Sequence, residues 1–198
     1  METHRKGGKT IVLAATGASG ARLAVRFLHL LLAHDSVSRV HFIPSDGFKL
    51  VALREDGLDA GAFLQGLPSD GTCPVHHEKE LDAPVSSGSY PVDATVILPA
   101  SMATVGAVAS GAGRNLVHRA AEVALKEGRP LVVVPRETPL SLIHLRNLVR
   151  IKEAGATVAP FVPAFYQGPV SVEDLVDHFL MRLFDHLGLA TTLSRRWS

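Results

Sequence analysis

The chain holds a single cysteine, Cys73. A disulfide within one chain is therefore impossible, and a cysteine-rich zinc site is excluded. Such usage fits a reducing compartment, so a cytoplasmic location is the expectation. No apolar run approaches the roughly 18 residues that span a bilayer. Ile11 to Ala15 is too short and too closely followed by glycine to be a signal-peptide core, and nothing like a cleavage region comes after it. Charge of one sign is also missing. The formal net charge is +1, with no basic stripe and no acidic tail, so neither nucleic acid nor a membrane is an expected partner. No internal repeat and no domain linker appears. No histidine pair has zinc spacing with other ligands. His76-His77 in a loop and His144 within a helix read as structural or surface groups, and no metal is expected.

What is present is enough apolar material, 46% of 198 residues, for one domain over residues 1–198. Residues 1–9, with His4, Arg5, Lys6 and Lys9, read as a flexible solvated tail. Ile11 to Ala15 is a continuous apolar run, the mark of a strand buried on both faces. Further strands are read at 40–43, 94–98, 130–134 and 156–158. Between them, helical patterns cover 21–33, 48–54, 103–109, 116–126, 140–153 and 172–187. Ser171 is placed as an N-cap for the last, with Glu173 and Asp174 in its first turn. Residues 56–91 are rich in Gly, Pro, Ser and Asp and read as loop with one short element at most. Alternating strands and helices predict an α/β fold whose parallel sheet is wrapped on both faces.

In such sheets ligands bind beyond the carboxyl ends of the strands. Thr16 to Ala21 follows the first strand; its small residues allow close backbone approach, and the next helix offers unpaired amides to an anion. A plain tight turn is the alternative. A dinucleotide fingerprint needs three glycines, whereas only Gly17 and Gly20 are present, even with Asp46 as a ribose-binding acid. Ser45 follows the second strand. Pro99 to Thr104, a second run of small residues and hydroxyls, follows the third. After the fourth come Arg136 and Glu137. Arginine suits phosphate oxygens, and a neighbouring glutamate can act as acid or base; a structural ion pair is the other reading. Arg119 and Lys126, seven residues apart, share a helix face. With Arg182 and Tyr166 they can form a pocket for a phosphate ester, or each can be a solvated surface group.

The segments TGASGA (16–21), PASMATVGAVASG (99–111), NLVHRAAEVALKEGRPLVVVPRETPLSLIHL (115–145) and PAFYQGPVSVEDLVDHFLMRLFDHLGL (163–189) resemble the UbiX-type flavin prenyltransferases. The resemblance covers nearly the whole chain and is weakest between about residues 56 and 90. It implies a Rossmann-like or flavodoxin-like three-layer sandwich, an FMN-binding transferase, and a large homo-oligomer, typically a dodecamer. It implies that dimethylallyl monophosphate alkylates N5 and C6 of reduced FMN. The prenylated FMN formed would serve a UbiD-type decarboxylase. Carried across by position, the flavin site is Gly17, Ala18, Ser19, Ser45, Ser101, Met102, Ala103, Thr104 and Arg136. The phosphate site is Glu55, Arg119, Lys126, Glu137, Tyr166 and Arg182, formed between subunits. Ser19 and Glu137 are the implied proton-handling catalytic pair.

The chain departs from the family pattern at four places. Pro44-Ser45-Asp46-Gly47 stands where a Ser-Lys-Ala-Ala-like run is usual, Leu81 where an aromatic residue is common, Arg114 before Asn115 where an acid or amide is common, and Ala100 where cysteine is frequent. Two other functions are weighed: a flavin-dependent cysteine decarboxylase, which would carry Pro-x-Met-Asn after the third strand, and a non-enzymatic flavin carrier.

Overall fold

A computed structural model describes residues 7–196. Most of the expected tail lies outside them, but Lys9 belongs to the fold. It opens the first strand, its amide donates to the Ser36 carbonyl, and its ammonium donates to the Leu187 carbonyl at 2.5 Å.

Five strands form one parallel sheet: β1 (Lys9–Ala15), β2 (Val37–Pro44), β3 (Ala94–Ala100), β4 (Leu131–Pro135) and β5 (Thr157–Val158), in the order β2-β1-β3-β4-β5. Apolar runs form its centre because both faces are covered. Ile11, Leu13 and Ala15 of β1 point into one core, and Val12 and Ala14 into the other, as the period of two requires. On the first face lie α1 (Ala21–Ala33), α2 (Asp46–Asp56) and α7 (Val172–His186), with Phe27 and Phe184 meeting edge to face at 5.1 Å. Paired bonds from Arg26 to Asp177 at 3.0 and 2.9 Å join α1 to α7. On the second face lie α4 (Met102–Ser110), α5 (Leu116–Lys126) and α6 (Leu142–Glu153). The expected sandwich is the observed one.

The differences are local. β2 begins at Val37, three residues before the apolar run, because an edge strand tolerates Ser38 and Arg39. α6 starts at Leu142, since Ser141 caps it; His144 is the third residue and completes a capping box instead of lying mid-helix. The long loop contains α3 (Ala60–Gln65) and a single 3-10 turn at Pro84–Ser86. Its residues 72–76 run along the outer edge of β2: Val40 and Phe42 amides donate to the carbonyls of Thr72 and Pro74, and the His76 amide returns to Phe42.

Candidate functional site

Strand order reverses at β1, whose successor β2 lies on one side and β3 on the other. The crevice between the ends of β1 and β3 is the place where such sheets bind ligands. Thr16 staples the two ends together: its hydroxyl donates to the Pro99 carbonyl at 2.9 Å and accepts from the Ser101 amide at 2.8 Å.

Three helices start at this crevice, each with a side-chain cap. Ser45 accepts from the Phe48 amide at α2, Ser101 from Thr104 at α4, and Asn115 from His118 at α5. Together with Thr16, Gly17, Thr104 and Glu78 they line a cavity of about 250 Å³. Its hydroxyl groups and helix starts suit a hydroxylated phosphate ester. Of the expected flavin residues, Gly17, Ser45, Ser101, Ala103 and Thr104 line it; Ala18 and Met102 are buried in the core. Gly17 is needed for a reason besides ligand approach. A Cβ there would stand 3.0 Å from Gly47 Cα, so two turns pack backbone against backbone.

Beside this cavity sits a second group. Glu55, at the end of α2, accepts from the Gly20 amide at 2.8 Å and from the Ser19 hydroxyl. Burial pulls the Glu55 carboxyl upward, but Ser19, the Gly20 and Ala21 amides and the charge of Arg136 outweigh it and hold it below the ordinary carboxylate range. The amides opening α1, expected to await an anion, are thus taken by Glu55. Gly20 can cap the helix only through backbone, with φ of 103°. Glu55 thus holds Ser19 by a hydrogen bond, and Arg136 acts on the pair through its charge.

The remaining cations do not gather at one rim within the chain. Arg119 donates through Nε to the Ser86 carbonyl at 2.9 Å, and Lys126 pairs with Glu127. Both are on α5. Arg182 pairs with Asp185 at 2.6 Å on α7, and the Tyr166 hydroxyl lies 3.0 Å from His178 of the same helix. These two helices cover opposite faces of the sheet. Glu137 is exposed and accepts from the Thr138 amide at 3.0 Å.

Sequence reasoning missed Asn115 and Glu78. Asn115 carried a signal, as an N-cap type just ahead of an apolar helix. Glu78 carried none: it is one acid in a long loop, yet it accepts from the Asp46 amide at 2.9 Å and the Asn115 side-chain amide at 2.8 Å. Asp46 itself pairs with Lys49, and Leu81 is exposed. Among the described residues, no three His, Cys, Asp or Glu side chains assemble as a metal site. No helix there is long and apolar enough to cross a membrane. Cys73 is buried, which pushes its thiol up to about 12 with help from Asp70.

A model of the Flavoprotein family matches residues 1–183. The chain is 42% identical over 200 residues to the flavin prenyltransferase UbiX of Pseudomonas aeruginosa, covering 96% of this chain and 95% of that one. Among solved structures it is similar to AnUbiX (PadA1) in complex with FMN and dimethylallyl pyrophosphate, with a TM-score of 0.89, 39% identity, and 96% and 98% of the two chains covered. It is also similar to a dodecameric FMN-dependent UbiX-like decarboxylase from Escherichia coli O157:H7, with a TM-score of 0.88, 36% identity, and 96% and 99% covered.

Proposed function

We propose the following division of labour for a chain that belongs to the Flavoprotein family and, within it, to the UbiX-type flavin prenyltransferases: the crevice between β1 and β3 holds FMN, and Ser19, Glu55 and Arg136 serve the transfer. The protein is an FMN-dependent enzyme that moves a dimethylallyl group from a dimethylallyl phosphate to N5 and C6 of reduced FMN. Reduced FMN supplies the nucleophilic nitrogen and ring carbon when bound.

The observation that carries the site assignment is the Ser19–Glu55 hydrogen bond, under the charge of Arg136, beside the capped helix starts. Glu55 is ionised, so the Ser19 hydroxyl donates to it and presents lone pairs outward. Ser19 would then accept a hydrogen bond from a ring N–H, and a proton taken there would pass on to the carboxylate. Ser45, Ser101 and Thr104 would hold the hydroxylated phosphate end of the flavin. Arg136 adds a fixed positive charge that suits an anion. Glu137, next to it and open to solvent, would handle the proton on the departing phosphate. Ala18 and Met102, both buried, would support the crevice from the core side.

Arg119, Lys126, Arg182 and Tyr166 would grip the allylic phosphate by charge-assisted hydrogen bonds. Their placement on opposite faces of the sheet supports a pocket assembled from more than one copy of the chain. So does the outer side of α6, where Leu142, Ile143, Leu145 and Val149 are exposed and only Ile151 is buried. A homo-oligomer follows, with a dodecamer as the proposed size. A UbiD-type decarboxylase would receive the prenylated FMN, and the cytoplasm is the proposed location.

The test is an anaerobic incubation of the protein with reduced FMN and either dimethylallyl monophosphate or the diphosphate, read by mass spectrometry. Flavin heavier by one C5H8 unit is the expected product. Flavin returned unchanged with both donors would leave only a flavin carrier.

A further inference from the structure

Tyr166 is 57% exposed on a loop bounded by Pro163 and Pro169, a poor foundation for a residue that must meet a small anion. The structure provides a support. The Tyr166 hydroxyl lies 3.0 Å from Nε2 of His178, and the rings meet edge to face with centroids 5.5 Å apart. His178 is 6% exposed on α7. Its other nitrogen, Nδ1, is 3.3 Å from the Ser194 hydroxyl, in the segment that follows α7. A cavity of about 380 Å³ adjoins this chain of groups, lined by Gln167 and Gly168 from the tyrosine loop, by His178, and by Leu193 and Ser194.

We propose that His178 is a positioning residue for Tyr166 in prenyl transfer and that Ser194 selects the imidazole tautomer; this rests on Tyr166 contacting the phosphate of the allylic substrate. A neutral imidazole carries one N–H and one bare nitrogen. With the bare nitrogen toward the phenol, Tyr166 spends its proton inward and turns lone pairs toward the ligand, which repels a phosphate oxygen. With the Ser194 hydroxyl donating to Nδ1, the N–H sits on Nε2 and donates to the phenol oxygen. The Tyr166 O–H then points outward and donates to phosphate. A chain of bonds in one direction also polarises each member. His178 touches no substrate in this scheme; it acts through Tyr166, and the segment after α7 acts through His178.

Steady-state kinetics of Tyr166→Phe, His178→Phe and the double variant test this, with dimethylallyl monophosphate varied at saturating reduced FMN. Flavin fluorescence gives the FMN affinity of each. The expected result is a KM for the monophosphate raised roughly tenfold in each single variant. FMN affinity stays unchanged, and the double variant is no worse than Tyr166→Phe. His178→Gln, which keeps an N–H near the Nε2 position, recovers most of the loss. Ser194→Ala, away from the packing of α7, raises KM about threefold and is silent in the Tyr166→Phe background. If Tyr166→Phe raises KM while His178→Phe and Ser194→Ala do not, or if the losses multiply, the positioning role is overturned and the tyrosine contact stands. If Tyr166→Phe leaves KM unchanged, the contact itself fails and the proposal falls with it. Should His178→Phe not fold, His178→Gln and Ser194→Ala decide by the same criteria.

Discussion

Glu55 reaches from the end of α2 to the start of α1 and links two jobs in one carboxylate: it caps a helix that Gly20 cannot cap by side chain, and it holds the Ser19 hydroxyl. Glu55→Gln keeps the shape and loses the basicity. Its kcat should fall roughly a hundredfold with little change in FMN affinity, measured by flavin absorbance in an anaerobic stopped-flow. An unaltered kcat would remove Glu55 from the proton path. Glu78 works in the opposite sense, because it places a negative charge where the phosphate end of FMN is proposed and occupies the first amide of α2. Glu78→Gln should bind FMN several-fold more tightly at low salt, with the gain shrinking as ionic strength rises. A fluorescence titration over a salt series reads this. At this scale legibility was uneven. Ser45 and Ser101 sit directly after strands and Ser19 lies in the turn that follows β1, so their place in the chain draws attention to them. Glu78 depends on the path of a loop, and no local pattern encodes where a loop closes.

The elements themselves were largely readable because each carries its own signal. β1, β3 and β4 are buried on both faces along most of their length and so are written largely in apolar residues. α7 announces its start with Ser171, whereas Ser45 and Ser101, expected as site residues after strands, prove also to cap α2 and α4, which begin at Asp46 and Met102 instead of 48 and 103. β2 extends beyond its apolar run, and nothing in the sequence pattern shows what its polar positions do. His41 of β2 is buried, with Nδ1 2.8 Å from His76 Nε2 and Nε2 2.9 Å from the Tyr90 hydroxyl. Burial, then the neighbouring His76 and Arg39, push it down to about 4 from 6.5. The fold therefore holds His41 neutral, whereas the unfolded chain takes up a proton below 6.5. Stability contributed by the neutral form is complete above about pH 6.5 and drains away as pH falls toward 4, by at most about 3 kcal/mol. Urea unfolding at pH 7 and pH 4.5 should show this loss, and His41→Gln should reduce it. An equal pH dependence in the variant would place the effect elsewhere.

Over the whole molecule, the five-stranded parallel sandwich followed from the alternation of strand and helix patterns. The distribution of cations did not. Arg119 and Lys126 go to one layer and Arg182 to the other, which no spacing along the chain reveals. The proposed pocket, completed by neighbouring copies, would make activity depend on assembly. Ile143, 69% exposed on α6, is the position to test. Ile143→Asp should leave the monomer folded by circular dichroism, lower the mass seen by light scattering, and cut kcat/KM for dimethylallyl monophosphate at least tenfold. A variant of lower mass with full activity would separate catalysis from assembly.

The strip of chain at 72–76 that satisfies the outward backbone of β2 has a consequence for how copies join. One end of the sheet is sealed, and the other ends in β5, only two residues long. Among the described residues, neither margin offers a long open template for adding strands from a neighbour. Copies would then meet through helices and loops, which favours closed particles of finite number over fibrils.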